Sequence, residues 1–501
     1  MAMFAGAALA TVSLFGGSAI AVSPPVTAAA SAPRAPQPEQ ARPNILFVLI
    51  DDMGWADLSV MGDKKVQTPN LDKLARDGVL LTKFYDAAPI CSASRAGFMT
   101  GRFPAEVGFY SYEGSRESNR ALGQVDWLDP EVPTMARMLQ RAGYATAHIG
   151  KWHLGGGRDI GDAPWPTAYG FDQSFTTFEG LGPRVLVSDE ERFLAEQSDE
   201  LGEGARFWEI KTKLTQLYCD MTVDFVAQHS DEPWFVNLWF NDVHDPWAPD
   251  DESLSDVMGK GTSSDDDRYL ATLVKMDRTL GKLFQRLKDM GEFDNTLIIV
   301  TSDNGPSSRQ IYYQGGDTAP GSVAHLRGRK WSNYEGGIRQ PLILYWRGHT
   351  KPGTVDRQTV GQGVDLFPTI ASIIGETPPA SLEGVDLSPV LTGHPVTERP
   401  PLFYAYGKEG APKQPPSPAD PHDVAPPFAV RDGDWKLLAE AGGNKPELYN
   451  LASDPTESKN VSAKHPAIRD RLLAELQRWL RDRTTPEKGE GLESAPTDGA
   501  G

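Results

Sequence analysis

The sequence predicts an α/β fold, a large mixed but mostly parallel sheet sandwiched by helices, with a smaller C-terminal α+β subdomain. Three observations carry this. Short runs rich in apolar, β-branched and aromatic residues recur at 44–50, 144–149, 234–240, 296–301 and 342–346, and uninterrupted runs of that kind suit strands buried on both faces. Helical patterns lie between them, the alternation of a βαβ architecture. After Gly393 the texture changes to a Pro-rich stretch, two short strand patterns and one amphipathic helix.

Taken in order, the 44–50 run stops at the charged pair Asp51-Asp52. Helices follow at 69–76 and 134–141, the second stopped by Gly143. Leu270, Leu273, Val274, Leu280, Leu283, Phe284 and Leu287 recur at helical spacing and form one apolar stripe. Short strands are expected at 428–431 and 435–438, and a last helix at 466–480. These readings divide the body into a catalytic domain over 42–393 and a C-terminal subdomain over 394–483.

With 501 residues the chain can bury a large core, and 39% hydrophobic with 23% charged residues is globular composition, which excludes collagen, coiled coil and wholesale disorder. The net charge of -19 repels a nucleic-acid backbone and disfavours anionic membranes, so no nucleic-acid partner is expected. Two cysteines, Cys91 and Cys219, cannot make a disulfide framework.

Residues 1–22 form a signal-like apolar segment with an Ala19-Ile20-Ala21 cleavage pattern, although no Lys or Arg precedes Arg34. Export to the periplasm or beyond is the expectation, an N-terminal anchor the alternative. A Pro/Ala-rich linker follows at 23–41, and 484–501 reads as a disordered tail. No later run reaches about 18 apolar residues, so no stable membrane span is expected after signal removal.

In open α/β sheets ligands bind outside the carboxyl ends of the strands. Asp51-Asp52 follows the first strand and Asp303-Asn304-Gly305 the fourth. Four oxygen-bearing side chains there suit a hard cation, Ca²⁺ or Mg²⁺, rather than zinc or copper; two turn-forming Asx pairs are the plainer reading. Cys91, flanked by serines at a helix-like start and followed by Arg95, is either a nucleophile in a positive field or a buried free thiol. Cys219, without a motif, reads as a buried thiol. Three further clusters sit at predicted strand ends: Lys151-Trp152-His153, His244-Asp245-Pro246, and Arg327-Gly328-Arg329-Lys330 ahead of Tyr334-Glu335-Gly336-Gly337. A dication, several cations and one or two histidines together suit a substrate with negative charge concentrated on oxygen, a phosphate or sulfate.

These motifs resemble the sulfatase family of the alkaline phosphatase superfamily. Cys91-Ser92-Ala93-Ser94-Arg95 with Thr100-Gly101-Arg102 is similar to its first signature, and Gly143-Tyr144-Ala145-Thr146 leading to Gly150-Lys151-Trp152-His153-Leu154-Gly155 to its second. The Arg42-Pro43-Asn44 opening with Asp51-Asp52, the Asp303-Asn304-Gly305 turn, Tyr334-Glu335-Gly336-Gly337, and Glu447-Leu448-Tyr449-Asn450-Leu451 with Asp454-Pro455 extend the resemblance over about 42–483. It departs at Ala93, where the family usually has proline.

The resemblance implies an alkaline-phosphatase-like fold and the hydrolysis of a sulfate ester, arylsulfatase-like. Cys91 would be converted to formylglycine by a formylglycine-generating enzyme. The aldehyde hydrates to a diol whose second hydroxyl, once deprotonated, expels sulfate and resets the nucleophile. The metal would be Ca²⁺, with Mg²⁺ as the alternative, on Asp51, Asp52, Asp303, Asn304 and the Cys91-derived side chain. Arg95 would stabilise the ionised diol, Lys151 and Lys330 would bind sulfate, and His153 would deprotonate the second hydroxyl. His244, with Lys330, would assist the departing oxygen. The substrate would be a small-molecule or carbohydrate sulfate ester. A phosphate or phosphonate ester hydrolase is the nearest alternative; a sulfoglycan-binding protein without catalysis, and a thiol hydrolase using unmodified Cys91, are the others. Specificity is expected in the loops 106–129, 155–206 and 309–323, with Trp152, Trp165, Trp247 or Trp331 available to stack on a ring.

Overall fold

The computed structural model describes residues 42–177, 179–190, 192–309 and 319–483. The signal-like segment, the linker, the C-terminal tail and the middle of the 309–323 loop lie outside the described residues.

The large sheet is built from β1 (Asn44–Ile50), β2 (Val79–Tyr85), β3 (Ala145–Gly150), β4 (Gln173–Thr176), β5 (Arg184–Val187), β6 (Arg206–Glu209), β7 (Trp234–Trp239), β8 (Thr296–Ser302), β9 (Arg339–Tyr345), β10 (Thr354–Asp356) and β11 (Gly361–Gln362). Its strand order is β10-β2-β9-β8-β1-β7-β3-β4-β5-β6, with β11 also beside β2. β9 runs antiparallel to β2 and β8 while β8, β1, β7 and β3 are mutually parallel, so the sheet is the mixed, mostly parallel one expected.

The continuous apolar character of β1 follows from its two buried faces. Leu46, Val48 and Ile50 point into one core with Val236, Leu238, Ile298 and Val300. Ile45, Phe47 and Leu49 point into the other with Phe235, Trp239, Leu297 and Ile299, the period-two alternation of a strand. The Ser264–Asp289 and Leu214–Gln228 helices cover the first face, and the Cys91–Thr100 and Leu366–Ile374 helices the second. All seven residues of the expected stripe on the Ser264–Asp289 helix pack into the first core.

A four-stranded antiparallel sheet completes the fold: β12 (Leu402–Ala405), β13 (Phe428–Asp432), β14 (Trp435–Ala439) and β15 (Glu447–Asn450), in chain order. The Pro466–Arg483 helix lays Leu472, Leu476, Trp479 and Leu480 on Val430, Leu437 and Ala439. The opposite face packs Ala429 and Leu438 against Tyr85, Tyr334 and Ile338 of the larger unit. A fully buried ion network crosses this seam. Lys436 Nζ lies 3.1 Å from Glu335 Oε1 and 2.9 Å from Glu457 Oε1, and Tyr85 OH donates to Glu335 Oε2 at 2.6 Å. Lys436→Met removes the cation shared by two buried carboxylates, so an unfolding free energy lower by about 3–5 kcal/mol is expected in denaturant titration. A loss under about 1 kcal/mol would mean that Arg339, whose Nη1 lies 3.5 Å from Glu335 Oε2, and the nearby Arg431 charge suffice. Among the described residues no helix is long and apolar enough to cross a membrane.

Candidate active site

Four adjacent parallel strands deliver the site from their carboxyl ends. β1 and β8 pair in register up to Ile50 and Ser302, so the residues that follow, Asp51-Asp52 and Asp303-Asn304, emerge side by side. Asn241 and His244 follow β7, and Lys151 and His153 follow β3. Cys91 enters from the first turn of the Cys91–Thr100 helix, and Lys330 from the loop before β9.

The backbone is tight here. Asp52 and His153 have φ of 61° and 58°, left-handed conformations that non-glycine residues adopt mainly where surrounding structure enforces them. Gly150 has φ of 110°, and a Cβ there would lie 1.9 Å from Trp239 O. Its absence lets the chain press against β7, where Lys151 N donates to Trp239 O at 2.8 Å. Gly336 plays a similar part, since a Cβ would lie 2.1 Å from Gly328 O on the loop that carries Lys330.

At the centre, ligand atoms of Asp51, Asp52, Cys91 and Asp303 all lie within 4.8 Å of one another, and all four residues are buried. Lys151 Nζ donates to Asp51 Oδ2 at 2.7 Å. Lys330 Nζ donates to both oxygens of Asp52, at 2.7 and 2.9 Å. Arg95 donates through Nε and Nη2 to Asp303 Oδ2, at 2.9 and 2.7 Å, and through Nη1 to Lys151 O. Three carboxylates therefore face three permanent cations. Asn304 Nδ2 donates to Asp52 Oδ1 and Gly305 O, which leaves Asn304 Oδ1 buried without a hydrogen-bond partner among the described residues. An orphaned amide oxygen beside three carboxylates is a donor set that could hold a hard cation.

Protonation follows from burial and neighbours. Burial opposes ionisation of Asp51, but Lys151, His244 and Arg95 outweigh it and hold the carboxyl well below its ordinary value. Burial pushes Asp303 up to about 6, assisted by the charge of Asp51. Burial pushes His153 down to about 4 and His244 down to about 3, with Lys330 adding to the second. Both imidazoles are thus neutral near pH 7. Burial also pushes the Cys91 thiol well up, although its Sγ sits 3.6 Å from Asp51 Oδ1.

A cavity of about 660 Å³ opens over this centre, lined by Asp51, Cys91, Lys151, His153, His244 and Lys330. Asp52, Asp303, Asn304 and Arg95 stand behind them through the hydrogen bonds above. The structure thus brings Asp51, Asp52, Cys91, Arg95, Lys151, His153, His244, Asp303, Asn304 and Lys330 to one place. It adds Tyr112, Arg158, Glu179, Phe193, Lys211, Asn241 and Arg309 to the walls. Several of these come from the three long loops, where composition alone gives no code to pick them out. Of the tryptophans, Trp152 and Trp247 are core residues, whereas Trp331 lines the cavity with the Arg309 guanidinium 5.3 Å from its ring centre. Cys219 is buried in the core.

The chain matches the sulfatase family over residues 43–376, and the family described as N-sulphoglucosamine sulphohydrolase, C-terminal over 328–484. It is 33% identical to human N-acetylgalactosamine-6-sulfatase, over 74% of this chain and 69% of that protein. It is 30% identical to human arylsulfatase A, over 84% and 83%. Among solved structures, Ps i-CgsB in complex with k-i-k-neocarrahexaose superposes with a TM-score of 0.69 at 25% identity, covering 89% of this chain and 94% of that one. The phosphonate monoester hydrolase of Agrobacterium radiobacter shares the fold, with a TM-score of 0.59 at 23% identity and coverage of 89% and 96%. A fold, two family matches and relatives named for sulfate removal agree with a buried anion-handling centre: the chain belongs to the sulfatase family and is a sulfuric ester hydrolase.

Proposed function

We propose that the chain hydrolyses the sulfate ester of a sugar or small aromatic alcohol, with Cys91 converted to formylglycine as nucleophile and a divalent cation, Ca²⁺ in preference to Mg²⁺, beside it. The observation that carries this is the meeting of Cys91 with three aspartates, Lys151, Lys330, His153 and His244 at one cavity. The cation would be held by Asp51, Asp52, Asp303, Asn304 and the Cys91-derived side chain, a set that fits because Asn304 Oδ1 is buried and has no other partner among the described residues. When bound, it would supply Lewis-acid charge at the site of sulfate and nucleophile. The hydrated aldehyde supplies one hydroxyl for attack on sulfur and a second whose deprotonation releases sulfate.

The chain's own residues do the rest. Lys151 and Lys330 bind the sulfate oxygens, and Arg95 stabilises negative charge on the diol while holding Asp303 in place. His153, neutral because it is buried, accepts the proton of the second hydroxyl. His244 and Lys330 assist the departing oxygen, a step that matters less for a phenol than for an alkoxide.

Relatives named for N-acetylgalactosamine-6-sulfate, and a related structure holding a neocarrahexaose, support a sulfated sugar as the natural class. The apolar 1–22 segment supports export, and we divide the body into a catalytic domain over 42–393 and a subdomain over 394–483. The reading is tested by kcat/KM for an aryl sulfate against the matching aryl phosphate. Sulfate is expected to lead by at least about 100-fold, a difference of about 2.7 kcal/mol in transition-state stabilisation. Phosphate leading by that factor would make the chain a phosphate ester hydrolase.

A further inference from the structure

His153 is gripped twice by one residue that no motif marks. Its amide donates to Glu179 O at 2.8 Å, and its Nε2 lies 2.9 Å from Glu179 Oε2. Glu179 is itself buried, and its second oxygen, Oε1, lies 3.4 Å from Arg158 Nη2. Burial opposes ionisation of Glu179, but His153, Lys151 and Arg158 outweigh it and hold the carboxyl down at about 2. Both ring nitrogens of His153 are buried and neither makes an aligned hydrogen bond among the described residues; Nε2 is the one placed within ion-pair distance of a carboxylate, and the side chain lines the cavity.

A neutral imidazole carries one N–H, and an ionised carboxylate can only accept. With Glu179 against Nε2, the proton belongs on Nε2 and the lone pair on Nδ1. We propose that Glu179 is a positioning residue that fixes His153 as the Nε2–H tautomer and so makes Nδ1 the atom that takes the proton during turnover. This rests on the role of His153 as base given above. When Nδ1 gains that proton the ring becomes an imidazolium with N–H on both nitrogens. The positive charge then forms against a carboxylate that stays ionised, so the proton need go no further during the step. Arg158 holds the second oxygen, which keeps the carboxylate from turning away from the ring.

The test uses the full chain with ¹⁵N-labelled histidine, His153 being assigned by the signals lost in His153→Gln. Ring-nitrogen shifts near pH 7.5 report the tautomer directly. Wild type is expected to show the Nε2–H form. Glu179→Gln keeps the shape but can present either a donor or an acceptor, and is expected to give a mixture of tautomers. Glu179→Gln and Glu179→Ala are expected to lower kcat by about 10- to 100-fold with KM little changed. Glu179→Asp is expected to recover part of both the activity and the Nε2–H signal. A ring protonated on Nδ1 in wild type overturns the assignment. So does a kcat and tautomer unchanged in Glu179→Gln. Because the shifts are read whether or not a sulfate ester turns over, failure of the mechanism and failure of this assignment are separate results.

Discussion

Cys91→Ala is expected to lower turnover of an aryl sulfate by about 10⁴-fold or more, the scale of losing a nucleophile, while leaving the protein folded. The side chain is small, at the first position of a helix that alanine suits. Cys91→Ser is expected to differ in kind. A serine can be sulfated once but has no second hydroxyl with which to expel the product, so it should release at most one equivalent of phenol per chain. Both results depend on conversion of the wild-type cysteine, and Ala93 is the position in question. In the structure Ala93 is in the first turn of the helix, where the first intrahelical bond shown is from Ser94 N to Ile90 O. Residue 93 therefore precedes the first amide the helix needs, and proline, which lacks an N–H, would sit there without losing a bond. Neither residue therefore costs the helix a backbone hydrogen bond at this position, so the consequence to test is recognition by the converting enzyme. The mass of the tryptic peptide 84–95 decides it. A lighter, aldehyde-reactive peptide supports the mechanism, and an unmodified thiol in protein from the native host would remove formylglycine as the nucleophile.

What the sequence made legible was set by how strongly local chemistry was constrained. A strand buried on both faces must be apolar throughout, so β1, β3, β7 and β8 stood out. The polar residues immediately after them stood out by contrast, and those residues are most of the site. The Cys91–Thr100 helix is buried along its whole length, so it has no polar face and no helical period to read. β2 is broken by the half-buried Thr82 and Lys83, and β4, β5 and β6 are only four residues long. The antiparallel direction of β9 leaves no mark on composition. Glu179 was hidden for another reason: its part depends on meeting His153 across a loop, and nothing about a single glutamate foretells that contact. Lys436 similarly looked like an ordinary strand lysine until the fold placed it between Glu335 and Glu457.

Dialysis against a chelator is expected to lower turnover by about 10³-fold or more, with Ca²⁺ restoring it better than Mg²⁺. The argument is one of charge. Asp51, Asp52 and Asp303 are balanced by Arg95, Lys151 and Lys330, and each of those cations is already hydrogen-bonded to a carboxylate. A centre so balanced offers little net attraction to a sulfate ester, and a dication would supply the excess. Ca²⁺ is favoured because the donors are several protein oxygens in a buried cluster, whereas Mg²⁺ demands stricter geometry and keeps more of its water. Asp51→Asn is the substitution that isolates this effect. It keeps the shape of the side chain and an acceptor for Lys151, and should raise the Ca²⁺ concentration needed for activity while lowering the maximal rate. Asp51→Ala would strip a buried ammonium of its acceptor, at about 3–5 kcal/mol, and mix a folding defect with a chemical one. Binding to the folded state alone gives a second readout: Ca²⁺ at about 100 times its Kd should stabilise the wild type by about 2.7 kcal/mol, and Asp51→Asn less at the same concentration. Full activity in chelator, with Asp51→Asn equal to wild type, would mean that the three carboxylates serve only to hold Arg95, Lys151 and Lys330, and that those cations meet the sulfate without help.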